Sequence, residues 1–177
     1  WYKLLDDAYK LFYFVDARHL RIFRTSELTP LSADVPAEEK HIMAKLAEQA
    51  VIAYEGDEPV FVSRMSSGAK FSNGNYLTPE GSYRTKFKRP SRHMTSGSPA
   101  APNSYDLPGV PWCSFITDSG ISFHGTYWHN DFGRPRSHGC MNMPSDAARW
   151  IYRWTTPTVP ADEQSAYHYA GTRVEVV

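Results

Sequence analysis

Short apolar runs alternate with polar ones along most of the chain, and this pattern predicts a mostly β fold. Residues 40–66 contain three runs rich in Val, Ile and aromatic residues. Short turns at residues 47–49 and 55–58 separate them, as is typical of a three-stranded meander. Further strands are predicted at residues 82–88, at residues 112–117 and 121–124 on either side of an Asp118-Ser119-Gly120 turn, and at residues 172–176.

Two segments have helical spacing instead. Apolar residues at positions 1, 4, 5, 8, 11 and 12 predict a helix at the start of the chain, before residues 11–15 become a continuous strand-like run. A second helix is predicted over residues 146–154, with Ser145 as its cap and Pro157 as its end. The apolar face of that helix carries Ala147, Trp150, Ile151 and Trp154.

Loop-forming residues suggest how the chain is divided. Residues 25–39 hold Pro30 and Pro36 among Ser, Thr, Asp and Glu, which predicts an extended connector. We therefore expect an N-terminal annex over residues 1–38 and a main domain over residues 39–177. Residues 68–81 are polar and Gly-rich, and residues 89–108 predict a long loop. Loops of that length in a compact domain are usually functional or disordered.

Size and composition indicate a globular domain without a membrane span. The chain has 177 residues, of which 41% are hydrophobic and two are cysteines, so it can bury a core without a disulfide framework. The longest apolar run covers residues 11–15, far short of the roughly 20 residues that cross a membrane. The chain begins at Trp1 without a Met, so we expect that a targeting segment is not part of it.

The charges sum to zero, with 19 basic and 19 acidic residues, which argues against a nucleic-acid partner. They are nevertheless segregated. Residues 34–58 hold seven acids and two lysines, whereas residues 64–92 hold seven bases and one acid. Two interpretations stay open: ordinary solvated strand faces, or a basic surface that holds an anionic polymer or a carboxylate-bearing substrate.

The candidate chemistry lies in residues 124–142, which contain His124, His129, His138 and Cys140. A thiol of ordinary pKa is only about 3% ionised at pH 7, so a nucleophilic cysteine needs a neighbouring imidazole or cation. Gly139, next to Cys140, leaves nearby backbone N–H groups uncrowded, and such groups can form an oxyanion hole. These residues indicate acyl transfer.

The sequence His124-Gly125, followed by Ser137-His138-Gly139-Cys140-Met141-Asn142, resembles the catalytic signature of the L,D-transpeptidase domain. The segments at residues 53–61, 66–68 and 78–83 are similar to earlier parts of that family, so the resemblance covers about residues 40–155. It implies a mainly β (α+β) sandwich or barrel with one or two helices, a catalytic Cys loop, and action on peptidoglycan stem peptides.

The resemblance also implies roles for individual residues. Cys140 would attack the carbonyl between the third and fourth stem residues, expelling D-alanine, and His124 would be the base, its ring oriented by a carbonyl near Gly125. His138 would serve in acid–base chemistry or hold the loop. The oxyanion would be bound by backbone groups of His138, Gly139 and Cys140, with Gly125 nearby. Substrate contacts are expected from Tyr127, Trp128, Arg136, Ser137 and Asn142.

The resemblance implies no cofactor, covalent inhibition by carbapenems, a monomer, and a place outside the cytoplasmic membrane of a bacterium. Alternatives remain. Water in place of the amine acceptor would make the protein an L,D-carboxypeptidase-type hydrolase. His124, His129, His138 and Cys140 together would make a zinc site, and a non-catalytic wall-binding module is a further class. Cys113 lies in an apolar segment that is predicted to be a strand, and it is expected to be a buried packing residue without a disulfide.

Overall fold

The computed structural model describes residues 1–6, 8–96 and 104–177, and its architecture is mostly β. Within these ranges two five-stranded sheets, two small hairpins and one α-helix are formed, with two 3-10 turns at Ala17–His19 and Thr25–Glu27. The strands are β1 (Tyr2–Leu5), β2 (Phe12–Val15), β3 (Lys40–Lys45), β4 (Ala50–Glu55), β5 (Glu58–Arg64), β6 (Lys70–Phe71), β7 (Gly74–Asn75), β8 (Gly81–Arg84), β9 (Phe87–Thr95), β10 (Asp106–Phe115), β11 (Ser122–Gly125), β12 (Met141–Met143), β13 (Ala166–Tyr167) and β14 (Arg173–Val176), and the helix is α1 (Ser145–Trp154).

The first large sheet has the strand order β5-β4-β3-β14-β8. The predicted meander is confirmed, because β3, β4 and β5 pair antiparallel in sequence order. The predicted closing strand is also confirmed as β14, which lies parallel to β3 and antiparallel to β8. Alternate residues of β3 are fully buried, as expected for a strand with one face on the core.

The second large sheet has the strand order β12-β11-β10-β9-β13. The predicted hairpin is confirmed, since β10 and β11 pair antiparallel around the turn at residues 116–121. Strand β12 then pairs parallel with β11, placing Phe123 beside Met141 and His124 beside Asn142. This register brings the predicted histidine to the segment that follows the predicted cysteine.

Helix α1 packs its apolar face into the core shared by the two large sheets. Of the predicted face, Ala147, Ile151 and Trp154 are buried there and Trp150 is partly buried; Ala148, which the prediction did not include, is buried as well. The predicted cap is wrong: Ser145 is the first helical residue, and the N-cap position is Pro144, which gives no side-chain hydrogen bond. Proline suits this boundary because it has no N–H to leave unsatisfied.

Buried lysines bind the carbonyl groups at the C-terminal end of α1. Lys88 is 1% exposed, and its ammonium donates to the carbonyls of Tyr152 and Thr155, the latter at 2.7 Å. Lys40 is also buried, and it donates to the Ser32 carbonyl at 2.6 Å. The basic run at residues 64–92 is therefore not a continuous basic surface, because one of its lysines is a core residue.

The helix predicted at the start of the chain is wrong. Residues 2–5 and 12–15 form the antiparallel hairpin β1–β2, in which Leu4 pairs with Tyr13 and Leu5 with Phe12. The Asp6 carboxylate accepts the N–H of Ala8 at 2.8 Å, a local bond that favours a turn over a helix. Cross-strand pairs that contain an aromatic side chain therefore outweigh the helical spacing of the apolar residues.

The long loop predicted at residues 89–108 is only partly correct. Residues 89–95 lie in β9 and residues 106–108 in β10, while residues 97–103 lie outside the described part of the chain. Pro108 and Gly109 have the composition of a loop, but they occupy an irregularity in the β9–β10 register between Leu107 and Val110. Bulges are where strands tolerate proline and glycine.

Among the described residues, no helix has the length and apolar character that a membrane span requires.

Candidate active site

The parallel pairing of β11 with β12 assembles the site. In this register Ser122 lies one step before the Phe123–Met141 pair and next to Cys140, while His124 lies beside Asn142. Because side chains alternate along a strand, these residues share one face of the sheet. His124, Cys140 and Asn142 line a cavity of about 270 Å³. The other lining residues are Met94, Tyr105, Leu107, Trp128, His129, Arg136, Ser137 and His138.

The imidazole of His124 is buried, neutral and fixed in one tautomer. Its Nδ1 lies 3.0 Å from the Gly125 carbonyl oxygen. A carbonyl only accepts, so Nδ1 carries the hydrogen and Nε2 keeps a lone pair. Burial lowers the pKa of His124 to about 4, against the hydrogen bond to Gly125, which raises it. His124 is therefore a neutral base at pH 7, and the expected orientation by a carbonyl at Gly125 is present.

The thiol of Cys140 contacts Gly120 and Ser122. Its Sγ lies 3.5 Å from the Gly120 carbonyl oxygen and 3.6 Å from the Ser122 hydroxyl oxygen. Burial raises the pKa of Cys140, while hydrogen bonds from the hydroxyl and the N–H of Ser122 lower it. Among the described residues these are the hydrogen-bonding partners of Sγ, and His124 is not one of them. The resting state is thus a neutral thiol beside a neutral imidazole.

The loop before Cys140 is held by side-chain hydroxyls. Ser137 Oγ donates to the Cys140 carbonyl and accepts the Gly139 N–H at 3.1 Å. Thr78 Oγ1 donates to the Gly139 carbonyl at 2.8 Å and accepts the Gly68 N–H at 2.8 Å. Gly139 has φ +116, a conformation that L side chains rarely adopt. The Gly139 N–H is bound to Ser137, so within the predicted set of His138, Gly139 and Cys140 the backbone N–H groups of His138 and Cys140 are the remaining candidates for binding an oxyanion.

The ring of His138 is exposed at the mouth of the cavity and surrounded by aromatic side chains. It stacks on Phe71 at 5.1 Å between centroids and meets Tyr76 edge-on at 4.6 Å and Tyr105 at 5.5 Å. These contacts support the loop-holding role more than an acid–base role. Tyr76 and Phe71 belong to the polar, Gly-rich segment, whose composition carried no sign of this contact.

The remaining predicted residues are divided by the structure. Trp128 and Arg136 line the cavity. Tyr127 is 57% exposed, does not line the cavity, and donates its hydroxyl to the Pro108 carbonyl at 2.8 Å. Gly125 is buried, and its carbonyl orients His124. Tyr127 thus contacts the strand beside the cavity, while Gly125 acts through the base.

His129 lies in the loop between β11 and β12. The ring Nε2 lies 3.0 Å from Asn142 Nδ2, and Nδ1 lies 3.2 Å from the Asp131 N. A neutral imidazole has one acceptor nitrogen, so it accepts from one of these two groups in a given tautomer. His129 therefore contacts Asn142 inside the cavity. In the described part of the chain no three or more His, Cys, Asp or Glu side chains form a group that could hold a metal ion. The histidines and Cys140 are thus not gathered as the zinc alternative requires.

Sequence reasoning also missed the wall formed by Met94, Tyr105 and Leu107, because these residues lie in the segment predicted as a loop. Ser122 could have been found from its position two residues before His124, on the same strand face. The contact of Thr78 with Gly139 spans 61 residues of sequence and left no local signal. Cys113 is fully buried, and neither it nor Cys140 is in a disulfide.

Comparisons with known proteins agree with this fold. The sequence model of the L,D-transpeptidase catalytic domain (YkuD) matches residues 39–176. No curated protein matches the sequence significantly.

Solved structures of similar fold include an L,D-transpeptidase from Mycobacterium smegmatis, with 25% identity and a TM-score of 0.62. The match covers 78% of this chain and 58% of that one. L,D-transpeptidase 3 from Mycobacterium tuberculosis, solved with a faropenem-derived adduct, has 23% identity, a TM-score of 0.61 and coverage of 78% and 60%. An LD transpeptidase solved in complex with imipenem has 23% identity, a TM-score of 0.63 and coverage of 78% and 59%. The chain thus spans about three-fifths of the length of these proteins.

Proposed function

Because this chain belongs to the L,D-transpeptidase catalytic domain family, we propose that it is a cysteine acyltransferase acting on peptidoglycan stem peptides. One observation carries the proposal: a buried, neutral His124 with its Nε2 lone pair available shares a cavity with Cys140. A neutral base next to a thiol is what thioester formation requires.

In the first half-reaction His124 Nε2 takes the thiol proton as Sγ of Cys140 attacks the carbonyl between the third and fourth stem residues. A C–S bond forms, and the backbone N–H groups of His138 and Cys140 stabilise the oxyanion. The C–N bond then breaks, and His124 returns the proton to the departing D-alanine amine. Sγ must turn from Gly120 toward His124 for this step, and such catalytic hydrogen bonds often tighten only when substrate binds.

In the second half-reaction an acceptor amine attacks the thioester. His124 takes the proton of that amine, the C–S bond breaks, and Cys140 leaves as the thiol after reprotonation. The product is a 3-3 cross-link or a protein attached to the wall. Ser122 supports both halves because its hydroxyl and N–H stabilise the thiolate.

The test is intact-mass spectrometry after incubation with a carbapenem, together with D-alanine release from a tetrapeptide. We expect one adduct per chain on Cys140 and complete loss of adduct and turnover in Cys140→Ala. Cys113→Ala is the matched control, because Cys113 is fully buried outside the cavity, and it should keep both signals. D-alanine release by Cys140→Ala at the normal rate would refute the mechanism.

The finer assignments belong to the same proposal. The chain acts as a monomer outside the cytoplasmic membrane, where stem peptides are found. Adding a second stem peptide to the assay separates the acceptors: a cross-linked dimer in excess of the hydrolysed tripeptide supports transfer to an amine. Tripeptide alone would assign the hydrolase reaction, with the same thioester at Cys140.

A further inference from the structure

The two faces of strands β9 and β10 line different cavities. Met94 and Leu107 are cross-strand partners, and both line the cavity of Cys140. Adjacent residues of a strand point to opposite sides of the sheet, so His93 and Asp106 lie on the other face. There they line a second cavity, of about 970 Å³, between these strands and the N-terminal segment. Residues 91–95 of β9 and 106–111 of β10 contribute to the lining of both cavities, and we call these two ranges the cavity wall.

The cavity wall extends beyond the strands that flank it. Within the described residues, β11 pairs with β10 only at residues 114–115, and β13 pairs with β9 only at residues 87–88. An isolated two-stranded hairpin is marginally stable in water. The wall therefore needs support from another part of the chain to keep its side chains in place.

The hairpin β1–β2 supplies that support at His93. Nδ1 of His93 lies 2.5 Å from Asp6 Oδ2, and its Nε2 is hydrogen-bonded to Asp106 Oδ1. The ring of Tyr9 meets His93 edge-on at 5.3 Å, and the Tyr9 hydroxyl donates to Asp106 Oδ2 at 3.3 Å. The side chains of His93 and Asp6 are 11% and 13% exposed. Two residues of the N-terminal segment thus bind both strands of the wall.

The contact depends on the charge of His93. Both ring nitrogens donate to carboxylates only when the imidazole is protonated. Burial opposes that charge, but the hydrogen bonds to Asp106 and Asp6 outweigh it and raise the pKa of His93 above its usual value. The double contact is complete below this raised pKa, and one N–H is lost as the pH rises through it. The other titratable groups that line the same cavity are Tyr13, His19, Arg89 and Arg92.

We propose that residues 1–15 are a working part of the active site: Asp6 and Tyr9 hold His93 and Asp106, and so position Met94 and Leu107 against the bound substrate. This inference rests on the proposed function, since the wall matters only if the Cys140 cavity binds a stem peptide. His93 is then a positioning residue, because it acts through the wall and not on the reacting atoms.

Asp6→Asn tests the inference on the full chain. Asparagine keeps the Oδ1 acceptor that binds the N–H groups of Ala8 and Tyr9, so the turn is preserved and only the acceptor for His93 is lost. We expect KM for the tetrapeptide to rise roughly five- to tenfold at pH 6, less than the full effect of one charge-assisted hydrogen bond, because Asp6 acts on the substrate only through the wall. The kcat should change less than twofold. The ratio of KM values should shrink as the pH rises through the raised pKa of His93.

Asp16→Asn is the matched control. It removes the same charge at the position that directly follows residues 1–15. Because Asp16 pairs with Arg18 and lines neither cavity, KM should not change. Hydrogen exchange measures the wall without catalysis. The amides of residues 91–95, 106–107 and 109–110 should exchange faster in Asp6→Asn and at the wild-type rate in Asp16→Asn, since Pro108 and Pro111 have no N–H.

Each failure has its own signature. Unchanged KM and unchanged exchange in Asp6→Asn would overturn the positioning role while acylation of Cys140 upheld the proposed function. An equal loss of kcat/KM at every pH would also overturn it, because a general packing defect does not follow the charge of His93. A wild-type chain that carbapenem does not acylate would refute the proposed function, while exchange would still decide whether Asp6 supports the wall.

Discussion

Removal of the Ser122 hydroxyl should raise the pKa of Cys140. The Ser122 Oγ is 3.6 Å from Sγ, and together with the Ser122 N–H it lowers the pKa of a thiol that burial raises. A hydrogen bond to a charged group contributes roughly 1.5–3 kcal/mol, and a contact this long belongs at the lower end. About 1.4 kcal/mol corresponds to one pKa unit. Ser122→Ala keeps the N–H, so we expect a rise of about one unit.

Reactivity should change less than ionisation does. At a pH well below the thiol pKa, one unit lowers the thiolate fraction about tenfold, but a more basic thiolate is a better nucleophile, with a Brønsted coefficient of about 0.4–0.5. The rate of alkylation in Ser122→Ala should therefore fall only about three- to fourfold at pH 7. Above both pKa values the order reverses, because both thiols are ionised and that of the variant is more nucleophilic. The two pH profiles are expected to cross.

The assay is alkylation by iodoacetamide across pH 6–11, followed by peptide mass spectrometry that resolves Cys140 from the buried Cys113. Ser114→Ala is the control. Ser114 is fully buried on β10, and its Oγ has no hydrogen-bond partner among the described residues, so its loss should leave the profile of Cys140 unchanged. Coincident profiles for Ser122→Ala and wild type would refute the argument, as would equal shifts in the two serine variants.

Three further outcomes are expected. Burial lowers the pKa of His124 in the folded chain to about 4. As the pH falls from 6.5 toward 4, the unfolded chain binds a proton at His124 and the folded chain does not, so the free energy of unfolding decreases. Urea titrations should show a loss of about 3 kcal/mol in wild type that His124→Gln lacks. For Lys88, burial and the charge of Lys40 lower the pKa to about 7, so the unfolding free energy should rise between pH 7 and 10 in wild type. The rise should be smaller in Lys88→Met, where the lowered pKa of Lys40 remains. Thr78→Val leaves the Gly68 N–H and the Gly139 carbonyl unsatisfied and should cost about 2–4 kcal/mol and lower kcat, whereas Thr78→Ser should retain both; a stable and fully active Thr78→Val would show that the two bonds are not needed.

Local patterns were sufficient where one face of an element meets the core. The meander β3–β5, the strand β14 and the helix α1 follow the expected periodicity, since burial of that face decides both the element and its orientation. Patterns failed for β1–β2 and for the wall strands. In β1–β2 the misleading local signal is the helical spacing of the apolar residues, and in β9–β10 it is the loop-forming pair Pro108 and Gly109. In both places cross-strand pairing outweighs the local signal.

The chemistry of the site shows the same division. Residue type singled out Cys140 with His124 or His138, because a nucleophilic thiol needs a neighbouring imidazole or cation, and the family resemblance assigned the base to His124. Residue type did not reveal that the Gly139 N–H is bound to Ser137 or that His138 lies among aromatic rings. Those facts depend on which backbone and side-chain groups come within 3 to 5 Å of each other.

The sequence alone determined the β character of the chain and the position of α1, and it singled out His124 and Cys140 as the candidate base and nucleophile. Only the tertiary structure placed Ser122 beside the thiol, Thr78 beneath Gly139, and Asp6 behind the cavity wall through His93. The physical reason is that periodicity and residue type act over a few neighbouring residues. Sheet register and packing join groups that are 18, 61 and 87 positions apart, and no local pattern encodes those distances.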